Sequence, residues 1–111
     1  MTPATLSIMH ERIAELIESD SVREVEQFMS ELSGYGILTE DQVDDAYYGC
    51  YPSVEAFCED TINDCYLDVI DSLPVFIQTA IDYELIWHQS MRHDFFEVYY
   101  NGNYYFFNRN F

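Results

Sequence analysis

Lysine is absent from this chain, and its only strong cations are Arg12, Arg23, Arg92 and Arg109, scattered through 111 residues. That scarcity excludes direct binding to nucleic acid or to an anionic membrane, because both need clustered positive charge to neutralise phosphate. Long apolar runs are missing as well, and nothing approaches the ~18 residues that cross a bilayer. No basic stretch leads into an apolar one at the N-terminus, where Glu11, Glu15, Glu18 and Asp20 crowd the place a signal peptide would occupy. The chain therefore reads as cytoplasmic. Cys50, Cys58 and Cys65 are odd in number and form no C-x-x-C pair, so neither a disulfide framework nor a zinc knuckle is indicated. Buried thiols are expected, with Cys58 and Cys65 seven apart on one side of a helix.

What the chain has in abundance is acid and aromatic rings. Twenty-one Asp and Glu set a formal net charge of −17, beside ten Tyr, eight Phe and one Trp. Disorder is disfavoured, since acidic disordered chains lack such aromatics. The length fits one domain, or two small lobes sharing a core.

Leu6, Met9, Ile13, Leu16 and Ile17 recur at helical spacing, opposite Glu11, Glu15 and Glu18. Ser21 with Glu24 reads as a capping box for a second helix, which carries Val22, Val25, Phe28, Met29 and Leu32 and stops at Gly34. Thr39 opens a short third helix through Val43 and Ala46, and residues 47–52 read as a connector between lobes. Ser53 caps a fourth helix with Val54, Cys58, Ile62, Cys65 and Val69 inward, a stripe that Phe57 and Leu67 do not fit. At 100° per residue, Asp60, Asp64, Asp68 and Asp71 would share one quadrant of this helix if it persists that far. Pro74 begins a further helix through Ile77, Ile81, Leu85 and Met91. Asn101-Gly102 then marks a two-residue hairpin pairing Tyr99 with Tyr104, Val98 with Tyr105 and Phe96 with Phe107. This register places Tyr99, Tyr104 and Phe106 on one face and Phe96, Tyr105 and Phe107 on the other. One face covers the helices; the second needs another element or a second copy of the chain. Tyr99, Tyr104 and Phe106 are accordingly candidates for a homodimer interface.

Little in the sequence equips the chain for catalysis. The histidines are His10, His88 and His93, and the five-residue spacing of the last two does not place a ligand pair on one helical face. The cysteines lie in acidic surroundings, which disfavour the thiolate. No P-loop, dinucleotide fingerprint or EF-hand loop is present, and neither metal nor cofactor is expected. An enzyme built on Asp82, Glu84 and His88 is the weakest of the functional readings.

The charge itself is the stronger signal. Glu11/Glu15, Asp41/Asp45, Glu55/Glu59, Asp60/Asp64 and Asp64/Asp68 are like-charge pairs at i,i+4, each opposing a helix by ~0.2 to 0.5 kcal/mol. A surface kept acidic for solubility normally mixes both signs, whereas here the countercharge has been removed. Duplex DNA carries one charge per ~1.7 Å of axis, so seventeen charges correspond to ~29 Å of duplex. A DNA mimic is thus physically feasible. Its expected acidic surface comprises Glu11, Glu15, Glu18, Glu40, Asp41, Asp44, Asp45, Glu55, Glu59, Asp60, Asp64, Asp68, Asp71, Asp82 and Glu84.

A set of residues also resembles a known family. Tyr48, Gly49, Tyr51, Ser53, Glu55, Phe57, Glu59 and Asp60, then Leu73-Pro74, Ile81-Asp82-Tyr83-Glu84 and Asp94-Phe95-Phe96, are similar to the C-terminal part of the ArdA antirestriction family, over residues 46–107. Residues 5–46 resemble that family's small helical middle domain by pattern, and its strand-rich N-terminal domain has no counterpart here. Ala80 stands where the family often has Tyr, and Cys58 where it often has Ala. The resemblance implies a dimeric, elongated DNA mimic from a phage or mobile element, acting in the host cytoplasm on the DNA-binding groove of type I restriction-modification enzymes.

The expected fold is α+β and mainly helical: a helical lobe over residues 1–46, then an ArdA-like α+β lobe over 47–111 with helices on a short antiparallel sheet that contains the aromatic hairpin. The expected function is noncatalytic inhibition of a host defence enzyme by DNA mimicry. The alternative is an acidic adaptor that binds one basic protein, such as a CRISPR effector, a transcription factor or a nucleoid protein, without imitating DNA.

Overall fold

The strongest turn signal in the chain is also the pivot of the fold. In the computed structural model, which describes residues 3–111 and the side chains from residue 8 onward, Asn101 and Gly102 both take positive φ, 50° and 84°. That geometry is the type I′ turn whose twist matches paired strands. It joins β2 (Phe95–Tyr100) to β3 (Asn103–Asn108), with Tyr99 opposite Tyr104, Val98 opposite Tyr105 and Phe96 opposite Phe107, as the sequence predicts.

A third strand was not legible. The Tyr47–Tyr51 segment, read as a connector, is β1 and pairs antiparallel with β3, giving the order β1-β3-β2. Gly49 and Pro52 argue for a loop, but a run with three tyrosines fits the exposed edge of a sheet, and the register shifts between Tyr47 and Gly49.

Three helices cover one face of this sheet: α1 (Pro3–Ile17), α2 (Val22–Gly34) and α3 (Glu40–Ala46). Met9, Ile13 and Ile17 from α1 meet Val25, Phe28 and Leu32 from α2, Val43 from α3, and Phe96, Val98, Tyr105 and Phe107 from the sheet. Leu6, the first residue of the expected α1 stripe, lies outside the described side chains. Tyr35 caps α2, and Gly36 follows at φ +90°, where Ile37 N–H returns to the Leu32 carbonyl.

On the other face lie α4 (Val54–Cys65) and α7 (Tyr83–Gln89). Phe106 of β3 is wholly buried there, stacked on Phe57 at 4.0 Å and edge-on to Trp87 at 5.4 Å. The second face of the ribbon is therefore covered by the chain itself. Phe106 is not available to a second copy and Tyr104 is half-buried against the same core, which leaves only Tyr99 of the expected dimer residues well exposed. Phe57, which does not fit the expected α4 stripe, is at the centre of this core.

Between α4 and α7 the chain departs from the expected long helices. Tyr66 leaves helical geometry at φ −128°, so α4 ends at Cys65 and a separate five-residue α5 (Leu67–Asp71) follows. The last turns of α4 are rich in Asp, Asn and Thr, which compete with helical hydrogen bonding. The helix expected from Pro74 to Met91 is broken into α6 (Val75–Gln78), α7 and a 3-10 turn over Met91–His93. Asp82 causes one break: its carboxylate accepts from Leu85 N–H at 3.0 Å and starts α7 afresh.

The result is mainly helical α+β, 55 × 25 × 19 Å. No helix among the described residues is long and apolar enough to cross a membrane.

Candidate functional site: the acidic surface

Every carboxylate expected on the acidic surface is exposed, apart from Glu40, which is half-buried in the first turn of α3. They spread over α1, α3, α4, α5 and α7, with none on α2. Glu11 and Glu15 lie on α1, and Glu18 follows it in the left-handed region at φ 53°. Asp41, Asp44 and Asp45 lie on α3.

Along α4 the carboxylates form two flanks beside the buried Phe57, Cys58 and Thr61. Asp60 is turned toward the sheet, where it accepts from the Tyr51 hydroxyl at 2.6 Å. Burial, then this bond to Asp60, raises the Tyr51 pKa. Glu55 and Glu59 line the other flank, a cleft of about 450 Å³ shared with Gln78, Thr79, Ile81 and Tyr83. Because α4 ends at Cys65, the expected single ridge through Asp60, Asp64, Asp68 and Asp71 is divided, with Asp68 and Asp71 on α5.

The cations do little to offset this charge. Among the described residues, only Arg12 of the arginines meets a carboxylate, donating to Asp44 at 2.8 Å, and His88 stands 3.9 Å from Glu84. Arg109 is engaged in the fold. Its Nε donates to the Arg92 and Phe95 carbonyls at 3.0 and 3.1 Å, and its guanidinium lies over Tyr35 and Phe96.

Glu24 has a role that its position does not disclose. Ser21 caps α2, but Glu24 does not close the expected box. It accepts instead from Tyr100 at 2.6 Å and Ser19 at 2.7 Å, tying α2 to the hairpin, while Ser19 Oγ accepts from Ser21 N–H. The Tyr100 hydrogen bond, then that of Ser19, holds the Glu24 pKa below its ordinary value.

The thiols divide as well. Cys58 is buried and desolvation pushes its pKa up to about 11, whereas Cys50 and Cys65 are exposed, contrary to the expectation of three buried thiols. Cys65 follows from the end of α4, beyond which the inward stripe has no core to meet. No group of three or more His, Cys, Asp or Glu stands together to hold a metal among the described residues. His88, Asp82 and Glu84 meet only through the long His88–Glu84 contact, and Asp82 is occupied as a cap.

One surface was missed altogether. Neither α5 nor α6 has a buried residue. Tyr66, Leu67 and Val69 are more than half exposed, and Val75 and Phe76 are 74% and 73% exposed. Residues 72–81 contain no charged side chain. Sequence periodicity placed only Val69 of these on an inward stripe and left Leu67 outside it, and the break at Tyr66 ends the helix that would have carried that stripe.

No protein-family model, no curated protein and no solved structure matches the chain.

Proposed function

We propose that this protein is a noncatalytic DNA mimic that occupies the DNA-binding groove of a host defence enzyme, with the type I restriction-modification enzymes implied by its resemblance to ArdA as the first target. The observation that carries this reading is the exposed, largely unneutralised carboxylate set spread along an elongated body. A duplex as long as the 55 Å axis would carry on the order of 32 charges, so a net −17 is roughly half the duplex density. A groove lined with Lys and Arg would meet the same sign of charge at a lower density.

The adaptor reading is favoured by a different observation, the exposed apolar side chains of α5 and α6, which duplex DNA has no equivalent for. Competition separates the two. Purified type I enzyme is bound to labelled duplex and titrated with this protein across a salt series. A mimic displaces the duplex at the shared groove; an adaptor binds the enzyme and leaves the duplex in place. Displacement should weaken with salt less steeply than duplex binding does, because a folded protein has fewer condensed counterions to release.

A further inference from the structure

We infer that the α5–α6 arm is a docking surface that seats against an apolar face bordered by Lys or Arg on the target protein. On the arm, Phe76 and Val75 are about three-quarters exposed, and Leu67 and Val69 are more than half exposed. It is held locally: Gln78 Nε2 donates to the Leu73 carbonyl at 2.7 Å, and Ile77 N–H returns to the Pro74 carbonyl at 2.9 Å. An uncovered apolar surface of this kind on a soluble chain marks an interaction site.

Charge selects the occupant. Asp68 and Asp71 lie on the arm, Glu55 and Glu59 face the start of the next segment across the cleft, and Asp82 and Glu84 follow it. No Lys or Arg occurs anywhere between Arg23 and Arg92. Two copies meeting through their arms would set one carboxylate border against another with no nearby cation to relieve it, which is strongly unfavourable at an interface. A cationic border is the complement of this one. The inference rests on the proposed binding of a basic protein, and it supplies what the charge lacks: at half the density of a duplex, the mimic needs a contact that DNA does not make. An apolar contact also persists when salt screens the carboxylates.

The test uses the whole chain and a defined probe, a synthetic amphipathic helix with leucine along one face and lysine along the other, beside a control helix with serine in place of leucine. Both are titrated at low salt and at about 1 M salt, where the Debye length is about 3 Å. The expected result is that wild type releases the serine helix at high salt and retains the leucine helix. The double variant Val75→Ser, Phe76→Ser should lose roughly tenfold or more of that high-salt affinity, and Tyr99→Ser, a comparably exposed aromatic outside the arm, should lose none. Circular dichroism verifies the fold, which these exposed positions should not disturb. The inference is overturned if the double variant holds the leucine helix as tightly as wild type at high salt. It is also overturned if wild type alone sediments as a dimer that the double variant abolishes, since the occupant is then a second copy. Failure to displace duplex from the restriction enzyme, with the helix result intact, removes DNA mimicry and leaves the docking surface standing.

Discussion

The aromatic hairpin and the α5–α6 arm are the two most apolar exposed-looking segments of the sequence, yet the chain treats them in opposite ways. Both faces of the hairpin are covered, one by α1 to α3 and the other by α4 and α7. The arm has no buried side chain of its own, with only Ile70, Leu73 and Gln78 half-buried. The difference lies in geometry. A ribbon offers two flat faces on which helices can pack, and the three-stranded sheet lets one chain build two cores back to back. Two helices of four and five residues are too short to present a continuous stripe to a neighbour, so their apolar side chains remain outside.

Removing a ring from the hairpin should have the largest effect on stability. Phe106→Ala should destabilise the fold by about 3 to 5 kcal/mol, the usual range for a buried Phe, because Phe106 is fully buried against Phe57 and Trp87. Urea denaturation measures it, and a loss below ~1 kcal/mol would mean that the second face is not closed by this chain. A smaller effect separates the cysteines. Cys58→Ala should lose on the order of 1 kcal/mol from its buried site, and Cys65→Ala, exposed beyond the end of α4, should lose almost nothing. On the arm, Phe76→Ser should change stability by less than about 0.5 kcal/mol, as expected of a surface substitution, despite removing a ring as large as that of Phe106.

The smallest expected effect concerns the tie between the hairpin and α2. Glu24 has a lowered pKa in the fold, so its contribution to stability is present above the unfolded-state value and is lost as pH falls through the folded value. Tyr100→Phe removes the largest cause of that lowering. The Glu24 carboxyl should then titrate closer to its ordinary range by NMR, and the acid-side loss of stability should become shallower. An unchanged Glu24 titration would show that Ser19 alone sets it.

Much of this architecture was legible because it rests on local chemistry. Asn101-Gly102 dictates positive φ and with it the hairpin register, and Ser21, Thr39 and Ser53 mark helix starts through their side-chain caps. The unread parts depend on tertiary context. Tyr47–Tyr51 becomes a strand only because β3 has a free edge beside it. The end of α4 carries no Gly or Pro, so the apolar spacing ran on through Cys65 to Val69, and the arm was hidden inside helices that do not form. The acidic residues were identifiable one by one, and nearly all are exposed. Their division between two flanks of α4 and the separate helix α5 was not, since a periodicity argument assumes one unbroken helix.

In the proposed function the carboxylates act collectively in place of phosphates. The most direct measurement is displacement of labelled duplex from a type I restriction enzyme by wild type, by Asp64→Asn, and by a variant combining Glu55→Gln, Glu59→Gln, Asp64→Asn and Asp68→Asn, all at exposed positions. The single change should weaken displacement by about 1 kcal/mol or less, near the value of a partly solvated charge pair, and the fourfold change should weaken it far more while circular dichroism reports an intact fold. A folded fourfold variant that displaces duplex as well as wild type would contradict the account.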